Sequence, residues 1–216
     1  MSEAFGIGAA LRRLTPGRPL VIVDADEVVL RFVDGFDKFL RSRSLFLDLT
    51  SYRLHGNVKR LEDKSALLDV EVTALLDEFR ADIDSLEAVE GACETLANLA
   101  PHADIVVLSN VSPSQAVARA RNLEAIGLNV PLIANEGTKG AAVKALTSRA
   151  GTPSFFVDDI PRHLESAAEA APSVYRIHLI GDDRLKPLLP AASHAHLRAE
   201  NWREAGEFMQ ARLEGS

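Results

Sequence analysis

A single cysteine, Cys93, is all the thiol chemistry available in this chain of 216 residues. One cysteine forms no intramolecular disulfide and supplies no cysteine-rich zinc site. Its place in an apolar helical pattern reads as packing. Long apolar runs are missing too, since none approaches the roughly 20 residues of a membrane span. The opening stretch MSEAFGIGAALRRL has no basic start followed by an apolar core and a cleavage site. The expectation is a soluble, cytoplasmic protein with no membrane partner. Positive charge is also scarce: 24 Lys and Arg against 31 Asp and Glu leave a formal net charge of −7. That balance argues against a partner recognised through a nucleic-acid backbone, because such binding needs clustered basic residues. A local basic pocket for a small anion remains compatible with it. Internal repeats and low-complexity segments are absent from the sequence as well.

The chain does have ample apolar material, 47% of its residues, with 25% charged. This is an ordinary balance for a globular protein with a sizeable core. The length suits one domain with an insertion, or two small domains. The stretch that organises the reading is LVIVDADEVVL, Leu20 to Leu30. Its apolar start, Leu20 to Val23, reads as a buried strand running into Asp24 and Asp26. Taken alone, the pair of acids is as readily an acidic turn as a site.

Around this strand the periodicity changes in an orderly way. A short helix is expected within 4–14, broken by Pro16-Gly17. From Phe32 the residues Phe32, Val33, Phe36, Phe39 and Leu40 recur at helical spacing. A second amphipathic helix follows over about 70–79, and the stretch 44–60 between them reads as irregular. With no strand pattern of comparable strength before about Ala88, residues 32–88 read as an all-helical insertion. Residues 1–31 and 89–216 then form the core. There, helices near 90–100, 113–126, 138–149 and 161–171 alternate with strands near 104–108, 130–134, 154–157 and 174–180. A weak edge strand is expected near 195–198, LKPLLP at 185–190 reads as a surface loop, and Trp202 to Leu213 reads as a closing helix. Such alternation implies right-handed crossovers and an α/β, Rossmann-like parallel sheet with helices on both faces.

Three of these strands end in polar groups. The first delivers Asp24 and Asp26, the second Ser109 and Asn110, and SFFVDD delivers Asp158 and Asp159. Lys139 opens the helix between the last two, with Lys144 a competing candidate on that helix. In an open parallel sheet these groups gather at one edge. Several converging carboxylates repel one another unless a cation neutralises them, and oxygen donors without His or Cys favour Mg²⁺. A hydroxyl, an amide and a lysine suit the spread negative charge of a phosphoryl group. A neighbouring carboxylate can attack phosphorus, and a second can exchange protons with the leaving oxygen and with water.

In this order, Asp24-x-Asp26-x-Val28-Val29, Leu108-Ser109-Asn110, Lys139 and Asp158-Asp159 resemble the motifs of the haloacid dehalogenase superfamily, in its phosphatase branch. The resemblance implies Asp24 as nucleophile and Mg²⁺ ligand, and Asp26 as general acid/base with its carbonyl on the metal. It implies Ser109, Asn110 and Lys139 as the groups that hold the phosphoryl. Asp159 would be the direct metal ligand of the last motif, with Asp158 sharing the metal or holding its water. The insertion resembles a C1-type helical cap, which implies a small phosphorylated metabolite as substrate. The expected activity is Mg²⁺-dependent hydrolysis of a phosphomonoester through an aspartyl-phosphate. A phosphosugar mutase, a phosphonate hydrolase using a cap lysine such as Lys59, and a catalytically silent phospho-ligand binding module stand as alternatives. Glu27 departs from the small residue common at that place in relatives. Arg53, His55, Lys59 and Arg60 in the insertion, and Arg162 and His163 after the last motif, read as solvated residues. Oligomeric state is not legible.

Overall fold

A computed structural model describes residues 2–81 and 83–215. Met1 and Ser216, at the ends of the expected core, and Asp82, within the expected insertion, lie outside the described residues. Helix α1 (Ile7–Arg13) precedes strand β1 (Leu20–Val23). The insertion follows as α2 (Phe32–Arg41), β2 (Leu45–Leu47), β3 (Val58–Arg60) and α3 (Asp69–Ala81). The core then resumes as α4 (Ala92–Leu99), β4 (Asp104–Ser109), α5 (Pro113–Ala125), β5 (Leu132–Ala134) and α6 (Gly140–Thr147). It closes with β6 (Ser154–Asp158), α7 (Pro161–Ala170), β7 (Tyr175–Leu179), β8 (Leu197–Ala199) and α8 (Trp202–Glu214).

Six strands form one sheet in the order β5-β4-β1-β6-β7-β8, each pairing parallel to its neighbours. The buried strand residues sort by parity onto two faces, as a two-residue side-chain repeat demands. Val21, Val23, Ile105, Val107, Phe155 and Val157 share one core. Leu20, Ile22, Val106, Leu108 and Phe156 share the other. Both faces are covered, which is why the strands read as continuous apolar runs rather than alternating ones.

The strand order reverses at β1. The chain runs outward to β4 and β5 on one side, then returns across β1 to β6, β7 and β8 on the other. At such a reversal the two flanking loops diverge and leave a crevice at the carboxyl ends of the strands. Val23 lies level with Val107 on one side and Val157 on the other, so β1, β4 and β6 end within two residues of one another.

The insertion departs from the expected all-helical cap in one respect. Its central stretch contains an antiparallel ribbon, with Leu45 opposite Arg60 and Leu47 opposite Val58. Leu47 and Val58 are buried and join the main core, while Lys59 reaches Asp48 at 2.5 Å and Arg60 reaches Glu71 at 3.0 Å. With only three residues per strand, the alternation is too brief to stand out from an irregular loop. The two cap helices are bound by aromatic packing: Phe79 lies 5.2 Å from Phe32 and 5.3 Å from Phe36, centroid to centroid. Two linkers carry the cap, and they run side by side. Arg31 N–H donates to the Glu87 carbonyl and Val89 N–H to the Val29 carbonyl. Helix α5 grips the return linker, because the Asn122 amide both donates to and accepts from the backbone of Leu86.

Candidate active site

Asp24 follows the last residue of β1, and its backbone N–H continues the ladder by donating to the Val157 carbonyl at 2.9 Å. Its side chain is thereby fixed at the centre of the crevice. Lys139 stands at the N-cap of α6, with its side chain 1% exposed. From there its ammonium reaches Asp24 Oδ1 at 2.5 Å and Asp158 Oδ2 at 2.7 Å. Lys144, the competing lysine, is exposed on the same helix. The position of Lys139 depends on a close approach of α6 and α7. A Cβ built on Gly140 would stand 2.2 Å from the Ser166 carbonyl oxygen.

The two acids that end β6 have different surroundings. Asp158 is satisfied within the protein: Oδ2 accepts from Lys139, Oδ1 accepts from Ile160 N–H at 2.8 Å, and His163 Nδ1 lies 3.4 Å away. Burial works against its charge, but Lys139 and His163 prevail and hold it below the usual carboxylate range. Asp159 forms no ion pair among the described residues, and Lys139 acts on it only weakly. Its Oδ2 accepts the hydroxyl of Tyr52 from the cap, and its Oδ1 is buried without a partner. Burial, with Asp158 and Asp24 adding repulsion, pushes its carboxyl well above the ordinary value. Its backbone is pinned by His178. Ala192 N–H donates to Nδ1, leaving the Nε2 proton to donate to the Asp159 carbonyl at 2.9 Å.

Burial also raises Asp24, to about 6, because Lys139 only partly offsets the desolvation and the repulsion from Asp158 and Asp26. Burial alone would lower the Lys139 ammonium, but Asp158 and Asp24 outweigh it and raise it. Asp26 points to the other side, where Oδ1 lies 2.6 Å from Arg119 Nη2 on α5. Ser109 is buried at the end of β4. Asn110 is exposed and serves the neighbouring loop, donating to the Gly137 carbonyl at 2.9 Å and accepting from Asn135 at 2.8 Å. The expected groups are thus brought to one sheet edge, with Asn110 acting on the loop that leads to Lys139.

Asp24, Asp158 and Asp159 are buried together with one lysine for compensation, and Asp159 presents an orphaned oxygen. Oxygen donors with this unbalanced charge fit a hard divalent cation. As the side chains stand, no three His, Cys, Asp or Glu among the described residues are arranged to hold a metal. Asp159 Oδ1, without a partner among the described residues, is the oxygen open to such a cation.

Several contributors were not evident from sequence. Tyr52 lies in the stretch read as irregular, and burial and Asp159 raise its phenol strongly. His163, read as solvated, is buried beside Asp158, whereas Arg162 is exposed as expected. Glu27 takes a left-handed backbone with φ 59°. Its Oε1 accepts the Val33 N–H at 2.7 Å, capping α2, while Oε2 is buried without a partner. Burial raises its carboxyl to about 8. No sequence signal marks Arg119, an ordinary basic residue on an amphipathic helix.

No protein-family model and no curated protein matches the chain. Solved structures do. A HAD family hydrolase from Deinococcus radiodurans, with bound phosphate and sodium, superposes with a TM-score of 0.59 at 19% identity, covering 92% of this chain and 98% of that one. The HAD fold is the fold of this chain. The same TM-score of 0.59 relates it to YfnB from Bacillus subtilis, a HAD-hydrolase bound to magnesium, at 13% identity over 89% of this chain and 98% of that one. A defluorinating L-2-haloacid dehalogenase, Rha0230, matches at 0.59 and 14% identity, covering 91% and 100%. These matches cover 89–92% of this chain, and the proteins matched span more than one chemistry.

Proposed function

We propose that this HAD-fold protein is a hydrolase of the haloacid dehalogenase superfamily that cleaves small phosphomonoesters, with Mg²⁺ as its cofactor. The observation that carries the reading is the buried chain Asp24–Lys139–Asp158 at the reversal of the sheet, with Ser109 ending the adjacent strand. Lys139 engages Oδ1 of Asp24 and leaves Oδ2 as the attacking oxygen. Oδ2 attacks phosphorus, the bond from phosphorus to the ester oxygen breaks, and Asp26 gives that oxygen a proton. Asp26 then takes a proton from water as the water oxygen attacks the aspartyl-phosphate, releasing inorganic phosphate and restoring Asp24. Lys139 and Ser109 hold the transferring group throughout, in a dry site where their charge and dipole act strongly. Asp24, Asp159 and the Asp26 carbonyl are the groups that would hold Mg²⁺, which when bound offsets the phosphoryl charge.

Asp26 separates this reading from dehalogenase chemistry, which has no leaving oxygen to protonate. Lys59, the candidate imine former of a phosphonate hydrolase, is engaged with Asp48. The test is a panel of phosphomonoesters, phosphorylated sugars and 2-haloacids with Mg²⁺, following phosphate, isomerised sugar and halide. Release of phosphate is the expected result. Asp24→Asn is expected to lower kcat at least ~10³-fold, since an amide is no nucleophile. Halide release alone, or an equally active Asp24→Asn, would overturn the assignment.

A further inference from the structure

Arg119 combines full burial with donors left unpaired. Its guanidinium is fully buried in the face of α5, and its nearest acidic contact is Asp26, whose Oδ1 lies 2.6 Å from Nη2. Nε and Nη1 are buried without a hydrogen-bond partner among the described residues, and the contact with Asp26 is an ion pair without hydrogen-bond geometry. Stability gives no reason to keep such a group, because an arginine taken out of water and left with unpaired donors carries a large desolvation cost. Removing it would not strand its partner, since the Asp26 side chain is 31% exposed and water can solvate it. A group kept against stability beside a reactive residue is expected at a functional site.

What the guanidinium does is decided by which oxygen it takes. Oδ1 of Asp26 is buried against Arg119. Oδ2 is not among the buried, unpartnered atoms and the side chain as a whole is partly exposed, which leaves Oδ2 as the oxygen for an incoming ester. We propose that Arg119 is a positioning residue for proton transfer: it clamps one oxygen of Asp26 so that the other is presented to the leaving group. It touches neither substrate nor phosphorus and acts only through Asp26. This rests on the phosphatase reading above. Asn122, one turn further along α5, binds the return linker of the cap, so the clamp is mounted on the helix that also meets the cap.

The test uses aryl phosphates of graded leaving-group basicity, from p-nitrophenyl to phenyl phosphate, with Mg²⁺ and the full-length chain. A good leaving group departs without a proton and a poor one needs it. Arg119→Met is expected to lower kcat/KM about 10²-fold on phenyl phosphate and less than about 3-fold on p-nitrophenyl phosphate, with its melting temperature unchanged or raised. Arg119→Lys, which keeps the charge without the planar fork, should fall between Met and wild type in leaving-group dependence. In an Asp26→Asn background, adding Arg119→Met should cost no more than about 2-fold, because a residue acting through Asp26 has nothing left to act on. Equal losses across the series, in Met or Lys variants, would overturn the proposal, as would additive losses in the double variant. A wild type inert on the whole series would instead remove the phosphatase reading beneath it.

Discussion

Glu27 illustrates how a residue can be both exceptional and structural. Its backbone sits in the left-handed region, with φ 59°, where side chains other than Gly, Asn and Asp are uncommon. Its carbonyl accepts from Gly181 N–H at 2.5 Å, and its carboxyl caps the first cap helix through Val33. Burial holds that carboxyl at about 8, above its ordinary 4.5, so between these values the folded state keeps a proton that the unfolded state has lost. Linkage then makes folding stability fall as pH rises through that window, by on the order of 1 kcal/mol per pH unit at most. Glu27→Gln keeps an acceptor for Val33 without an ionisable group. Thermal melts at several pH values from 5 to 9 should show a flatter profile for the variant and a clear gain at the alkaline end. Parallel profiles would dissociate Glu27 from the pH dependence. In sequence Glu27 showed only as a third acid after Asp24 and Asp26, since its helix-capping partner Val33 is chosen by a backbone turn that composition does not encode. Asp24, Lys139 and the Asp158-Asp159 pair were legible because each ends a strand or starts a helix, where apolar runs give way to charge.

At the scale of elements, the floor of the site depends on two contacts with no sequence signature of their own. Gly140 lets α6 lie against α7, where an added Cβ would meet the Ser166 carbonyl at 2.2 Å. Backbone cannot step aside as a side chain can. Gly140→Ala is therefore expected to destabilise by about 1–3 kcal/mol in urea denaturation, and to weaken catalysis by moving the N-cap that carries Lys139. Unchanged stability would show that the helices can separate freely. The second contact is Tyr52 on Asp159, made by the segment between β2 and β3. With the hydroxyl gone, Tyr52→Phe leaves Asp159 open to a cation. Mn²⁺ titration followed by electron paramagnetic resonance should then give tighter binding than wild type, by about 3- to 10-fold for loss of one hydrogen bond to a charged group. Equal or weaker binding would mean that Tyr52 does not compete for that oxygen. The ribbon that carries this segment was missed because three residues of alternation do not separate a strand from a loop, and because cap packing rather than local preference settles its register.

At the scale of the whole molecule, the Tyr52 hydroxyl of the insertion reaches Asp159 at the end of β6. Clefts of about 550 and 630 Å³ flank the linkers, but neither is lined by Asp24, Ser109, Lys139 or Asp159. Any movement of the cap away from Asp159 would turn at the paired linkers, Val29–Arg31 and Glu87–Val89. Amide hydrogen exchange is expected to be faster at Arg31 and Val89 than in β1, and slower at both when vanadate and Mg²⁺ are present. Equal protection of linkers and strand would argue for a rigid cap. The alternating core was readable at this scale because both faces of the sheet are covered, which makes its strands uninterrupted apolar runs. The contact of Tyr52 with Asp159 was not readable, since it joins segments far apart in sequence. The seam along the linkers also has a bearing on evolution and engineering. The cap touches the α/β body through backbone atoms as well as side chains: Leu86 presents both its N–H and its carbonyl to Asn122, and Val33 presents an N–H to Glu27. Backbone groups are common to every sequence. The body could therefore accept a differently composed cap, and a different substrate range, if the replacement ended in the same two chain geometries.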